Sequence, residues 1–149
     1  MTQEHKDLLL KDLCARLPYG VKIKTSYDKI DEPIELVFIN PRNESFAIGS
    51  NFTLTSGLSF DIYECKPYLF PLSSMTEKLI HEFYCMFIEN DISFEDFVAD
   101  YWNINSFHKL MTSIDDCGGV VEWFNENHCD YRGLIEKGLA IDATGLNIY

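Results

Sequence analysis

His81 and Cys85 stand four residues apart in an apolar-periodic stretch, a spacing that on a helix turns an imidazole and a thiol to the same side. With His108, Cys117, His128 and Cys129 further along, the chain holds the ligand types that zinc prefers. The spacing is that of no finger or ribbon, and scattered cysteines commonly serve as small buried hydrophobes, so no metal and no cofactor is expected. Ser106-Phe107-His108-Lys109 matches the SxxK of serine acyl-transfer enzymes, in which the lysine can activate the hydroxyl. The accompanying Ser-Asp-Asn and Lys-Thr-Gly elements are missing, and Ser106 reads more simply as a helix cap, so no catalytic residue is assigned. The paired acids Glu95-Asp96 and Asp115-Asp116 could hold a divalent cation or share a proton. At helix ends they read more simply as solvated charge, with Asp96 at a third helical position complementing the dipole.

Five residues remain as candidates for contact with a partner: Tyr68, Phe70, Tyr101, Trp102 and Arg132. The four aromatics could line a groove where two layers meet, although aromatics at helical spacing are more often core. Arg132 is one of only four basic residues between 75 and 149. It is either an anion or partner contact or, the preferred reading, a guanidinium paired with carboxylates that locks the C-terminal segment onto the helices. No Gly-rich phosphate loop, HExxH, GxSxG or dinucleotide fingerprint is present.

Charge is spread unevenly. Of the net −12, residues 1–74 hold 8 Lys+Arg against 10 Asp+Glu, and residues 75–149 hold 4 against 14. A field of that sign repels phosphate backbones and anionic lipid and favours a basic protein, a cation or plain solubility. Direct nucleic-acid binding and membrane binding are therefore not expected. The charged start of the chain and the lack of an apolar run approaching ~18 residues predict a cytoplasmic protein. Five cysteines without a CxxC pair predict reduced, mostly buried thiols and no disulfide.

The elements that must position these residues follow from periodicity. Leu9, Leu10, Leu13, Cys14 and Leu17 predict a helix over about 3–17 behind a cap at Thr2, with Asp12 and Arg16 on its outer face. From Val21 the period becomes two. Strands are predicted at Val21–Tyr27, at Ile34–Ile39 as a more buried run, and at Ser45–Ile48, Phe52–Thr55 and Leu58–Tyr63. Five short strands favour a small curved antiparallel sheet, first of all a Src-homology-3-like barrel, whose closure removes sticky edges. Pro67 and Pro71 make 66–76 a non-regular hinge that excludes a central strand, with Ser74 and Glu77 as a capping box for the next helix.

Beyond the hinge, helices are predicted over about 75–89, from Ser93 through Trp102, over 107–116 ending at Gly118-Gly119, and over 120–128. A short turn follows, capped by Asp130 and closed by Gly138, before an extended tail. The expected fold is α+β: one domain, with residues 1–65 as helix plus sheet and 77–149 as an acidic helical layer on a common core.

Two stretches carry a resemblance: Lys66-Pro67-Tyr68-Leu69 with Pro71-Leu72-Ser73-Ser74-Met75-Thr76, and Asp130-Tyr131-Arg132-Gly133-Leu134-Ile135-Glu136-Lys137-Gly138-Leu139-Ala140. They resemble motifs of a family of small uncharacterised proteins of Bacteroidetes bacteria and their phages or mobile elements. The tail from Ile141 to Tyr149 is similar too, while the segment from about 90 to 116 departs from the pattern. The resemblance implies a bacterial or phage cytoplasmic setting and a shared fold, and no activity. The function expected is that of a non-enzymatic interaction protein with an acidic surface for another, basic macromolecule, such as a regulator or inhibitor of a host system. The alternatives are a small-ligand binder or enzyme with a pocket between sheet and helices, and a structural component of a phage assembly, which would be a homo-oligomer.

Overall fold

The computed structural model describes residues 1–26, 32–40, 42, 45–48, 60–88, 92–100, 102 and 117–149. The strand expected at Phe52–Thr55 and the helix expected over 107–116 lie outside the described residues, and so do Tyr101, Ser106, His108, Asp115 and Asp116. The chain is α+β and divides into two compact units, residues 1–69 with 134–149, and residues 70–133. Buried apolar side chains form a separate cluster in each. No described helix is long and apolar enough to cross a membrane.

The first unit opens with α1 (Gln3–Arg16), where the Thr2 hydroxyl accepts from the His5 amide at 3.2 Å, as its sequence predicts. Its inward stripe is Leu9, Asp12, Leu13 and Arg16. Asp12 and Arg16, expected outside, are both fully buried, and Arg16 Nε donates to Asp12 Oδ2 at 2.7 Å. Positions 9, 12, 13 and 16 share one helical face, so the two charges enter the core together and each neutralises the other. Cys14, expected in the stripe, is exposed.

Among the described residues six strands form the sheet: β1 (Lys22–Thr25), β2 (Ile34–Asn40), β3 (Ser45–Ile48), β4 (Phe60–Asp61), β5 (Cys65–Leu69) and β6 (Ile141–Asp142), in the order β4-β3-β2-β1-β5-β6. All neighbours are antiparallel except β5 and β6. The antiparallel run, with β5 returning through a 3₁₀ turn (Ile62–Glu64) to the free edge of β1, has the strand order of a Src-homology-3-like barrel. That turn replaces the end of the strand expected over Leu58–Tyr63, because Asp61 Oδ1 accepts from the Tyr63 amide at 2.9 Å and folds the chain over. β1 alternates as predicted, burying Ile23 and Thr25.

β2 does not meet its expectation of burial: Glu35, Val37 and Phe38 are exposed. A register shift between Leu36 and Phe38 inserts one extra residue, so the inward positions are Leu36 and then Ile39.

Pro67 is the larger correction. It lies within β5, which has a strand on each side, where the two prolines predict no central strand. The Ser26 amide donates to the Glu64 carbonyl, so in the antiparallel register the Lys24–Lys66 pair is hydrogen-bonded and the Ile23–Pro67 pair is not. The nitrogen of Pro67 therefore points away from β1, and β6 begins pairing only at Tyr68. A strand tolerates proline where no ladder bond is asked of it.

In the second unit, Leu72–Ser74 forms a 3₁₀ turn in which Ser74 Oγ donates to the Pro71 carbonyl at 2.8 Å. That use of its hydroxyl removes Ser74 as a helix cap. Thr76 takes the place, accepting from the Leu79 amide at 3.4 Å at the start of α2 (Glu77–Phe87). Ser93 caps α3 (Phe94–Asp100) as predicted, accepting from the Asp96 amide at 3.1 Å while donating to Asp96 Oδ2 at 2.8 Å. Gly118 and Gly119, expected to end a helix, lie instead in the first turn of α4 (Cys117–Glu126). The core is aromatic: around the fully buried Phe83, the rings of Phe87, Phe97, Trp102, Trp123 and Phe124 have centroids 5.0 to 6.1 Å away.

Candidate functional site

Of the five residues expected at a partner surface, two are held by structural work. Tyr68 is buried in β5, and its carbonyl accepts from the Tyr149 hydroxyl at 2.9 Å. Trp102 packs edge-on against Phe83 and donates its indole N–H to the Leu72 carbonyl at 3.1 Å, the bonding of a core tryptophan. Phe70 is half-buried, its amide donating to the His128 carbonyl at 2.9 Å and its carbonyl accepting from the Asp130 amide at 2.8 Å. Arg132 is half-buried, with its guanidinium 4.5 Å from the centre of the Tyr131 ring, a cation–π contact. Tyr131 in turn packs on Phe124 at 5.4 Å and donates to Asn125 Oδ1 at 3.2 Å, which ties the Asp130-Tyr131-Arg132-Gly133 motif to α4.

The exposed chemistry of the second unit is carboxylate. Residues 70–133 hold 3 Lys+Arg against 12 Asp+Glu. Glu77 and Glu82 on α2, Glu95 and Asp100 on α3, and Glu122 and Glu126 on α4 are all exposed. None of them forms an ion pair with a described lysine or arginine. Two of them face the wrong way for their own helices. Asp100 and Glu126 are the last residues of α3 and α4, where the helix dipole is negative, and neither last turn holds a basic residue. Glu122 and Glu126 are also like charges at i,i+4, which costs a helix a few tenths of a kcal/mol.

The C-terminal end of α4 is otherwise closed with care. The Cys129 amide donates to the Phe124 carbonyl and the His128 amide to the Asn125 carbonyl, while the Asn127 side chain donates to the Trp123 carbonyl at 3.0 Å. This is a Schellman closure, and His128 occupies its left-handed position with φ 53. The same two bonds recur at residues 134–139, where the left-handed position is Gly138 with φ 69.

In the first unit, the Tyr149 hydroxyl accepts from the Lys22 amide at 3.1 Å as well as donating to Tyr68. Lys22 and Tyr68 are the next pair after Ile23–Pro67 in the ladder, so the hydroxyl sits where a direct amide–carbonyl bond would run. Burial of that hydroxyl pushes the phenol up to about 12, although the Lys22 amide and the Arg16 charge pull it down. Burial likewise pushes the Cys65 thiol up to about 12, and it donates to the Ile62 carbonyl at 3.0 Å. Cys14 is raised by burial to a smaller extent. Cys85 is exposed, with its sulfur 3.5 Å from His81 Nδ1. Among the described residues no three histidine, cysteine or acidic side chains gather as a metal cluster.

Sequence reasoning missed the Asp12–Arg16 pair and the wrong-signed helix ends. The first was visible as a charge pair at i,i+4 in phase with Leu9 and Leu13, and the second required knowing where α3 and α4 stop. No protein-family model, no curated protein and no solved structure matches the chain.

Proposed function

We propose that the protein is a non-enzymatic interaction protein whose helical unit, residues 70–133, presents an acidic surface to a basic protein. The observation that carries this reading is the position of Asp100 and Glu126 at the negative ends of their helices, exposed and without a cation among the described residues. Charge placed for helix stability goes to the opposite end, and each reversal costs about 0.3–1 kcal/mol at low salt. Surface charge kept at the expense of the fold is what a charge-complementary partner selects for. The resemblance to proteins of Bacteroidetes bacteria and their phages or mobile elements carries no activity, and a regulator or inhibitor of a host system is one form that such an interaction protein would take.

The test is capture from bacterial lysate on the immobilised chain, eluted in steps of salt, with the native protein and the Glu82→Gln/Asp100→Asn/Glu122→Gln/Glu126→Gln variant side by side. A basic protein should be retained by the native chain, released as salt screens charges beyond the Debye length of about 10 Å at 0.1 M, and lost from the variant. A partner held equally by both proteins and indifferent to salt contradicts the proposal.

A further inference from the structure

His81 and Cys85 are an imidazole and a thiol whose mutual geometry the described residues give. One helical turn apart on α2, both are exposed, and Nδ1 and Sγ are 3.5 Å apart. Zinc–sulfur and zinc–imidazole bonds of about 2.3 and 2.0–2.1 Å at a tetrahedral angle place their two donor atoms about 3.5 Å from each other. The pair already has the bite of a tetrahedral site. Its imidazole is held in place by the edge of the Phe94 ring, 5.0 Å between centroids, and by Tyr84 at 6.2 Å. The other described thiols differ: Cys65 and Cys129 are buried and donate to neighbouring acceptors, and Cys14 is exposed with no imidazole beside it in the described contacts.

Two ligands leave a structural zinc site half filled, and among the described residues no third ligand joins the pair. We infer that His81 and Cys85 form half of a tetrahedral site for zinc or a similar thiophilic divalent ion, completed by the same two residues of a second copy of the chain. Two thiolates and two neutral imidazoles give the Cys₂His₂ set of structural zinc sites, and the charge of the ion balances that of the thiolates. The ion displaces the thiol proton of each Cys85 to solvent, and no oxidation is involved. Without the ion, two acidic units repel, so pairing is metal-dependent. This inference is independent of the basic partner proposed above.

The experiment titrates cobalt(II) into metal-free, reduced protein and follows absorbance and light-scattering mass together. The expected result is a sulfur-to-cobalt charge-transfer band with the intense visible bands of a tetrahedral ion. These should saturate at one ion per two chains, double the mass, and reverse with EDTA. Both should vanish in Cys85→Ser and in His81→Ala, two exposed positions where the fold tolerates change, and persist in Cys14→Ser. A band that survives Cys85→Ser, no band at all, or a saturated band on a particle of unchanged mass each overturn the inference.

Discussion

α1 and α4 answer the same electrostatics in opposite ways. α1 has Glu4 in its first turn and Arg16 in its last, both aligned with the dipole, and it hides Arg16 against Asp12 inside the aliphatic core of the sheet unit. α4 has no acid in its first turn, no base in its last, and ends on an exposed glutamate. α3 also ends on an exposed acid. The sheet unit thus uses charge inside, as structure, while the helical unit stands on a ring-packed core and turns its charge outward. Glu77, Glu95 and Asp96 lie in first turns that the dipole favours, so the acids that folding does not explain are those at the helix C-termini, Asp100 and Glu126.

The comparison breaks first where charge is internal. Arg16→Ala leaves Asp12 buried without its counter-ion and should lower stability by about 3–5 kcal/mol in chemical denaturation. Asp12→Leu/Arg16→Met should recover most of that loss, and failure to recover would mean that the pair has a role beyond neutralising itself. In the helical unit the equivalent loss comes from packing: Phe83→Ala removes the ring at the centre of the cluster and should cost about 3–5 kcal/mol.

Smaller effects sharpen the contrast. Tyr149→Phe leaves the Lys22 amide and the Tyr68 carbonyl without the hydroxyl that bridges them, a loss of about 1–3 kcal/mol. The same phenol sets an alkaline limit. Its folded pKa of about 12 lies above the ordinary value of 10.0, so its contribution is complete below pH 10 and is lost as pH rises toward 12. A stability curve that stays flat across that window in native protein, relative to Tyr149→Phe, would contradict the burial. Gly138→Ala meets no atom within 4 Å, so its cost, about 1–2 kcal/mol, is that of the left-handed backbone alone. His128 already bears such a conformation in the matching closure of α4.

Much of this was legible in the sequence. The cap at Thr2, the alternation in β1, the cap at Ser93 and the apolar stripe of α2 each follow from local spacing, because each depends on neighbours within a turn or a pleat. What escaped depends on distant pairing. Whether Pro67 is tolerable in β5 turns on which of its edges β1 occupies, and the burial of Asp12 and Arg16 turns on what α1 packs against. For Trp102 spacing allows both a groove and the core, and the Leu72 carbonyl and the Phe83 ring place it in the core. The acidity of the helical half was plain from counting, but its reversal against the dipoles needed the helix ends.

The most direct measurement is the melting temperature of Asp100→Asn/Glu126→Gln beside the native chain at low and high salt. If these two acids oppose their own helices, the variant melts about 2–4 °C higher at low salt, and the gain shrinks as salt screens the dipole. An unchanged or lower melting temperature at low salt would show that the charges serve the fold after all.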